Sequence, residues 1–116
     1  MPPAVTSEAH PEVFHLRGEL NAASAGGLRR DLSRAVGQRA VLLDMTEVEF
    51  VDAVGLGVIL GTIRGIHEQG GVVAIVGAEP QRGFPGALRS AGIHDLVPLK
   101  DSMAVALAWL DETVRQ

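Results

Sequence analysis

The residues around Asp52 are the ones best placed for a functional role. Asp52 stands directly before a helical pattern, where its carboxylate can cap the helix by accepting from the N–H of Val54 or Gly55. A helix start also offers free N–H groups and a positive dipole end, which favour an anion. Yet Ala53 and Val54 are apolar, and neither can carry a phosphate. Both residues fit a partner-binding surface, and both also fit ordinary first-turn positions of a helix.

No other group of polar residues forms a recognisable reactive site. The histidines lack metal-ligand spacing such as His-x3-His. No serine lies in a Gly-x-Ser-x-Gly turn, and the glycines form neither a Walker nor a dinucleotide pattern. The sequence therefore predicts a protein that is not an enzyme and that needs no metal or cofactor. The four histidines are His10, His15, His67 and His94.

Composition limits the classes of partner. The chain has 116 residues and a net charge of -4, without the basic stripe that nucleic-acid binding requires. It has no cysteine, which excludes disulfides and fits a reducing compartment. The longest nearly apolar run, residues 54–63, is about half a membrane span. With no signal peptide at the start, the expectation is a cytoplasmic protein that does not insert into membranes.

Hydrophobic periodicity predicts alternating strands and helices in a single domain spanning residues 1–116. Residues 1–11 are expected to be loosely ordered or to form a short edge strand. Asp44 is expected to end a strand and to be followed by a turn. The predicted fold is α/β, with a four- to five-stranded, mixed but mostly parallel sheet and about four helices. The predicted strands are 12–17, 40–43, 72–76 and 97–99, and the predicted helices are 22–36, 55–69, 87–91 and 102–114.

The second predicted helix carries an unusual row of glycines. Gly57, Gly61 and Gly65 recur every four residues, in line with Val54. Each glycine inside a helix costs about 1 kcal/mol relative to alanine. Such a row indicates that another chain approaches the helix closely. Two alternatives stay open: a loop of the same protein covers the glycines, or the helix is rotated so that they touch the sheet. The predicted core face is Leu56, Ile59, Leu60, Ile63 and His67, with Ile66 at its border.

Several of these motifs, in this order and spacing, resemble the STAS domain of bacterial anti-sigma factor antagonists. The similarity covers about residues 13–110, nearly the whole chain. The segments that carry it are Gly18-Glu19-Leu20, Leu43-Asp44-Met45, the run from Val48 to Asp52, the run from Gly55 to Gly61, Gly70-Gly71-Val72, and the run from Ala87 to Ile93.

The resemblance implies a partner switch. In such systems the unphosphorylated antagonist binds an ATP-dependent anti-sigma factor, which is also a serine kinase that inactivates the antagonist. The family's phosphorylated Ser or Thr lies two residues after the aspartate that corresponds to Asp52, and Val54 takes its place here. Ala53 stands where the family often has Ser or Thr, and Asn21 where it commonly has an aspartate. A domain of this kind is expected to bind without being switched at that position.

The partner-binding residues implied by these arguments are Asp52, Ala53, Val54, Gly57, Gly61, Gly65 and Asn21. Two other functions stay open. The domain could be a scaffold or sensory subunit of a larger complex, which needs no phosphorylation. It could also bind a small molecule such as a nucleotide or lipid, as some STAS domains do. A monomer or a weak homodimer is compatible with the antagonist function.

Overall fold

The computed structural model describes residues 10–115, which form one parallel sheet with helices on both faces. The strands lie in the order β1-β2-β3-β4, and each neighbouring pair is parallel. The α/β prediction is confirmed. The suggested extra edge strand and most of the N-terminal segment lie outside the described residues. The strands are β1 (Glu12–Leu20), β2 (Ala40–Val51), β3 (Val72–Val76) and β4 (Leu99–Lys100); the helices are α1 (Ala25–Leu32), α2 (Ala53–Glu68), α3 (Phe84–Ser90) and α4 (Met103–Arg115).

The two faces of the sheet bury separate apolar clusters. On one face, α1, α2 and α3 pack Leu32, Ile63 and Leu88 against the sheet. On the other face, α4 packs Ala106 and Leu110 against Ala40, Leu42, Ala74 and Val76. The strand β3 is buried along nearly its whole length, as expected for an apolar, β-branched strand covered on both faces. Across the described residues, no helix has the length and apolar character needed to cross a membrane.

The first two strands are longer than predicted. Gly18 was expected to end β1, and Asp44 was expected to end a strand before a turn; both predictions are wrong. Two β-bulges explain the difference, because at each bulge β2 carries one residue more than β1. The first lies after the His15–Asp44 pair and the second after the Gly18–Val48 pair. The bulges interrupt the alternation of apolar residues without interrupting the strand.

The helix boundaries also differ from the predicted ones. Residues 21–24 form a turn, so α1 begins at Ala25 instead of residue 22, and a short 3-10 helix, Ser33–Ala35, follows it. The helix α2 begins at Ala53, two residues earlier than predicted, and α3 begins at Phe84 with Pro85 in its first turn. The closing helix starts after Ser102, whose hydroxyl caps it by accepting from the N–H of Val105 at 3.2 Å.

The buried face of α2 is rotated relative to the predicted one. Its buried residues are Gly55, Val58, Ile59, Ile63 and Ile66. Ile59 and Ile63 are buried as predicted, and Leu56 and Leu60 are half-buried and pack against the edge of the same core. His67 is exposed, so its assignment to the core face was wrong. The helix wheel places large apolar residues at the centre of the buried face, whereas the structure includes Gly55 in that face, where β1 approaches the helix too closely for a side chain.

Candidate functional site

The start of α2 is built at the carboxyl ends of β1 and β2. Leu20 and Val51 are paired at the ends of these strands, so Asn21 and Asp52 follow at the same edge of the sheet. The N–H of Asp52 donates to the Leu20 carbonyl at 3.0 Å. This bond ties the loop before α2 to the end of β1, so Asn21 and Asp52 directly follow the last pair of the ladder.

Asp52 caps α2 as predicted. Its Oδ1 accepts from the N–H of Val54 at 2.9 Å and from the N–H of Gly55 at 3.0 Å. Asp52 is extended at φ -94° and ψ -176°, the conformation typical of an N-cap. Because the Asp52 carboxylate occupies these N–H groups, the helix start already holds its own anion. The Asp52 carboxylate thus takes the place of the external anion that a free helix start would favour.

The first two residues of α2 are open to solvent. Ala53 is exposed, and the side chain of Val54 is 45% exposed, although valine is usually buried. The helix start therefore presents an uncharged, apolar surface next to the Asp52 carboxylate. Neither of these two residues, Ala53 and Val54, carries a hydroxyl group.

The glycine row is open at two of its three positions. A Cβ added at Gly57 or Gly61 would meet no atom within 4 Å outside the helix. A Cβ at Gly65 would lie 3.1 Å from Cγ2 of Val36, so the chain itself lies over this glycine. Gly65 is therefore covered by the same chain, which was one of the alternatives left open by the sequence. Gly57 and Gly61 are not covered and remain accessible to another chain.

Gly57 and Gly61 form one wall of a shallow groove between α1 and α2. The groove has a volume of about 270 Å³, and its other wall includes Arg29, Leu32 and Val36. Arg29 is exposed, so a positive charge borders an otherwise small-residue and apolar surface. On the α2 side, Gly57 and Gly61 leave the helix backbone accessible, while the long side chain of Arg29 borders the groove on the α1 side.

Asn21 has a structural role in the turn before α1. Its Oδ1 accepts from the N–H of Ser24 at 3.1 Å, and its own N–H donates to Ser24 Oγ at 3.0 Å. The hydroxyl of Ser24 also donates to the Glu19 carbonyl at 2.8 Å. The structure thus explains Asn21 as a turn residue, and the amide removes the negative charge that an aspartate would carry at this edge.

A second polar cluster lies on β1 and β2 at the first bulge. His15 Nδ1 and Asp44 Oδ2 are 2.8 Å apart, while Asp44 Oδ1 accepts from the N–H of Thr46 at 2.9 Å and from its hydroxyl at 2.5 Å. Partial burial by itself raises the pKa of Asp44, but the hydrogen bonds from Thr46 and His15 and the charge of His15 together hold that pKa below its ordinary value. The cluster stabilises the first bulge of β2.

A groove on the other side of the α2 start was missed by the sequence analysis. Its walls are Phe50, Val51 and Leu56 on one side, and Gln81, Arg82 and Phe84 on the other, and its volume is about 280 Å³. We call it the Phe50 groove. Phe50 is 53% exposed, which the sequence signals only weakly, because Phe50 lies in an apolar run at the end of a strand. The described residues contain no group of acidic residues and histidines that could hold a metal ion.

Comparisons with known proteins bear on both the family and the fold. The family model of the STAS domain matches residues 3–106. An anti-sigma F factor antagonist of Paenibacillus polymyxa is 28% identical over 102 residues, which cover 85% of this chain and 86% of that protein. Two solved structures have TM-scores of 0.68: an anti-sigma factor antagonist from Mycobacterium paratuberculosis, with 24% identity over 91% of this chain and 86% of that chain, and a sulfate transporter family protein from Wolinella succinogenes, with 21% identity over 91% and 88%. These two structural likenesses show the fold alone.

Proposed function

The chain belongs to the STAS domain family, and we propose that it acts as an anti-sigma factor antagonist that binds an ATP-dependent anti-sigma factor of the serine kinase type. The observation that carries the proposal is the open start of α2, where Ala53 and the 45% exposed Val54 stand next to the Asp52 cap. The curated relative supports the same function, since it is an anti-sigma F factor antagonist similar over most of both chains.

Binding at this surface is favoured by its shape and composition. Two glycines without a neighbour, Gly57 and Gly61, let a partner's backbone approach α2 closely. The exposed Val54 extends the same side of the helix toward the Asp52 cap. Burial of this apolar surface against a partner removes it from water, which favours association. Gly65, which lies under Val36, is not part of the proposed contact surface.

In the proposed function, binding at this surface is not regulated by phosphorylation at position 54. A phosphate at position 54 would add nearly two negative charges beside the Asp52 carboxylate, and the resulting repulsion would oppose binding of an acidic partner surface. Valine has neither a hydroxyl to accept a phosphate nor a charge to mimic one. The domain is therefore expected to behave as a permanently unphosphorylated antagonist.

The test is to mix the protein with each ATP-binding anti-sigma regulator encoded in its source genome, with ATP, and to look for a complex by native mass spectrometry. We expect one complex, which Gly61→Arg abolishes, since position 61 has open space and arginine is a good helix residue. Ala108→Arg, on the exposed side of α4 across the sheet, is the matched control and should leave the complex intact. Absence of any complex with the wild-type protein would overturn the proposal.

The alternative, a scaffold or sensory subunit, is favoured by one observation: the missing hydroxyl at position 54 suits a domain that is never phosphorylated. Light scattering coupled to size-exclusion chromatography separates the two functions. A monomer or dimer that binds a regulator supports the antagonist, whereas a large self-assembly supports the scaffold.

A further inference from the structure

The strand β2 extends beyond its partner on one side. Its pairing with β3 ends at Asp44, whereas its pairing with β1 continues to Val51. Among residues 10–115, no backbone hydrogen bond outside the helices and strand ladders joins residues 47–51 to the loop that follows β3. Gly77 contacts the backbone of Thr46, but beyond Thr46 this edge of β2 has no hydrogen-bonded neighbour within the described residues, and the Phe50 groove lies between that edge and residues 81–84.

The Phe50 groove has the size and lining of a side-chain pocket. Its volume of about 280 Å³ lies below the range typical of sites for drug-sized ligands or cofactors. Phe50, Leu56 and Phe84 give it an apolar lining, and half of the Phe50 surface is exposed. A single apolar side chain of a partner would bury this surface. A strand edge beside such a pocket is the arrangement in which extended peptides bind, with the edge contacting the backbone and the pocket contacting a side chain.

Charge indicates which side chain lies next to that apolar one. Arg82 lines the groove and is exposed, and within the described part of the chain its guanidinium makes no hydrogen bond or ion pair. No acidic residue lines the Phe50 groove. A carboxylate on a partner could form two parallel hydrogen bonds with this guanidinium, a geometry that adds specificity as well as energy.

The apolar surface continues past Arg82. A second groove of about 260 Å³, lined by Ala78, Pro85 and the 38% exposed Leu99, shares Gln81 and Arg82 with the first. Glu79 lines this second groove and disfavours a carboxylate there, while the apolar lining by Ala78, Pro85 and Leu99 favours an apolar side chain. The two grooves thus offer an apolar site, a positive charge, and a second apolar site in sequence.

We propose that the Phe50 groove and its continuation bind an extended segment of the anti-sigma regulator, with an acidic residue at Arg82 flanked by apolar residues. This inference rests on the proposed function and adds to it a second contact region, continuous with the α2 start through Val51 and Leu56. In this second region, Phe50 contacts an apolar side chain of the regulator and Arg82 contacts an acidic one, whereas the glycine row and Val54 offer no charged contact.

The test is isothermal titration calorimetry, in which the regulator is titrated with the wild-type protein and with two groove variants, Phe50→Ser and Arg82→Glu. Both positions are exposed, and thermal unfolding checks that each variant is folded. We expect each change to weaken binding by about tenfold or more, because a central apolar contact or charge pair carries this much of an interface. Arg115→Glu is the matched control: it reverses an exposed charge on α4, across the sheet, and should leave the affinity unchanged.

Failure of the groove inference can be distinguished from failure of the proposed antagonist function. If Gly61→Arg and Val54→Glu disrupt the complex while Phe50→Ser and Arg82→Glu do not, the groove inference is wrong and the antagonist function stands. If light scattering shows that the groove variants instead break a homodimer, the groove is a contact between two copies and the inference is again wrong. If the wild type binds no regulator, both proposals are overturned.

Discussion

Gly55, in the first turn of α2, lies directly against the backbone of Leu20 at the end of β1. A Cβ at position 55 would overlap the Leu20 carbonyl oxygen and come within 2.9 Å of the Leu20 Cβ. The same carbonyl accepts from the N–H of Asp52 at 3.0 Å. This contact fixes the depth and rotation of α2 on the sheet. As a result, Val54 faces solvent although the helix around it is apolar.

Gly55→Ala should therefore destabilise the protein. We expect the free energy of unfolding in urea to fall by about 2–3 kcal/mol, since the added methyl group forces the helix away from β1. Gly57→Ala is the matched control on the same helix, where the methyl group meets open space. There the better helix propensity of alanine should raise the free energy of unfolding by about 0.5–1 kcal/mol. Equal effects of the two changes would show that the contact with Leu20 does not constrain α2.

Loss of the Asp52 cap should have a smaller effect. In Asp52→Ala the N–H groups of Val54 and Gly55 lose their acceptor, and the free energy of unfolding should fall by about 1 kcal/mol. Asp52→Asn keeps an acceptor oxygen and should recover most of that loss, because asparagine is a comparable N-cap residue. Denaturant unfolding at neutral pH measures both. An alanine variant as stable as the wild type would mean that water satisfies these groups equally well.

The Asp44 cluster predicts a pH-dependent contribution to stability. Because the folded-state pKa of Asp44 lies below its ordinary value, its ionised form stabilises the fold. This stabilisation is fully present above the unfolded-state pKa of about 3.9 and is lost as the pH falls through the lower folded-state pKa. Asp44→Asn should therefore lower the free energy of unfolding at pH 7 by about 1 kcal/mol, with the difference from wild type shrinking below about pH 4. A pH-independent difference would contradict the role of the charge.

Restoring a hydroxyl at position 54 should restore a phosphate acceptor. With the cognate kinase-type regulator and ATP, Val54→Ser should gain one phosphate by intact mass, because this side chain is exposed at an uncovered helix start. Val54→Ala, which has no hydroxyl, is the control and should gain none there. Phosphate appearing in the wild type on another hydroxyl, such as Thr46 or Ser24, would show that the protein is switched at a different position.

Most of the candidate site follows from local sequence patterns. An aspartate before a helical pattern predicts a cap, and the structure confirms that Asp52 is one. The row of small residues on α2 was also visible, since helical spacing is a local property. The Phe50 groove was not visible, because its two walls are residues 50–56 and residues 81–84, and only the packing of the chain brings them together.

The sequence by itself determined the alternation of strands and helices, the capped start of α2 and the absence of a hydroxyl at position 54. These depend on residue type and near neighbours. Tertiary structure decided which face of α2 is buried, which glycines stay open, and that β1 and β2 run on through their bulges. The physical reason is that close approach between distant segments, as between Gly55 and Leu20 or Gly65 and Val36, overrides the preferences of any one segment.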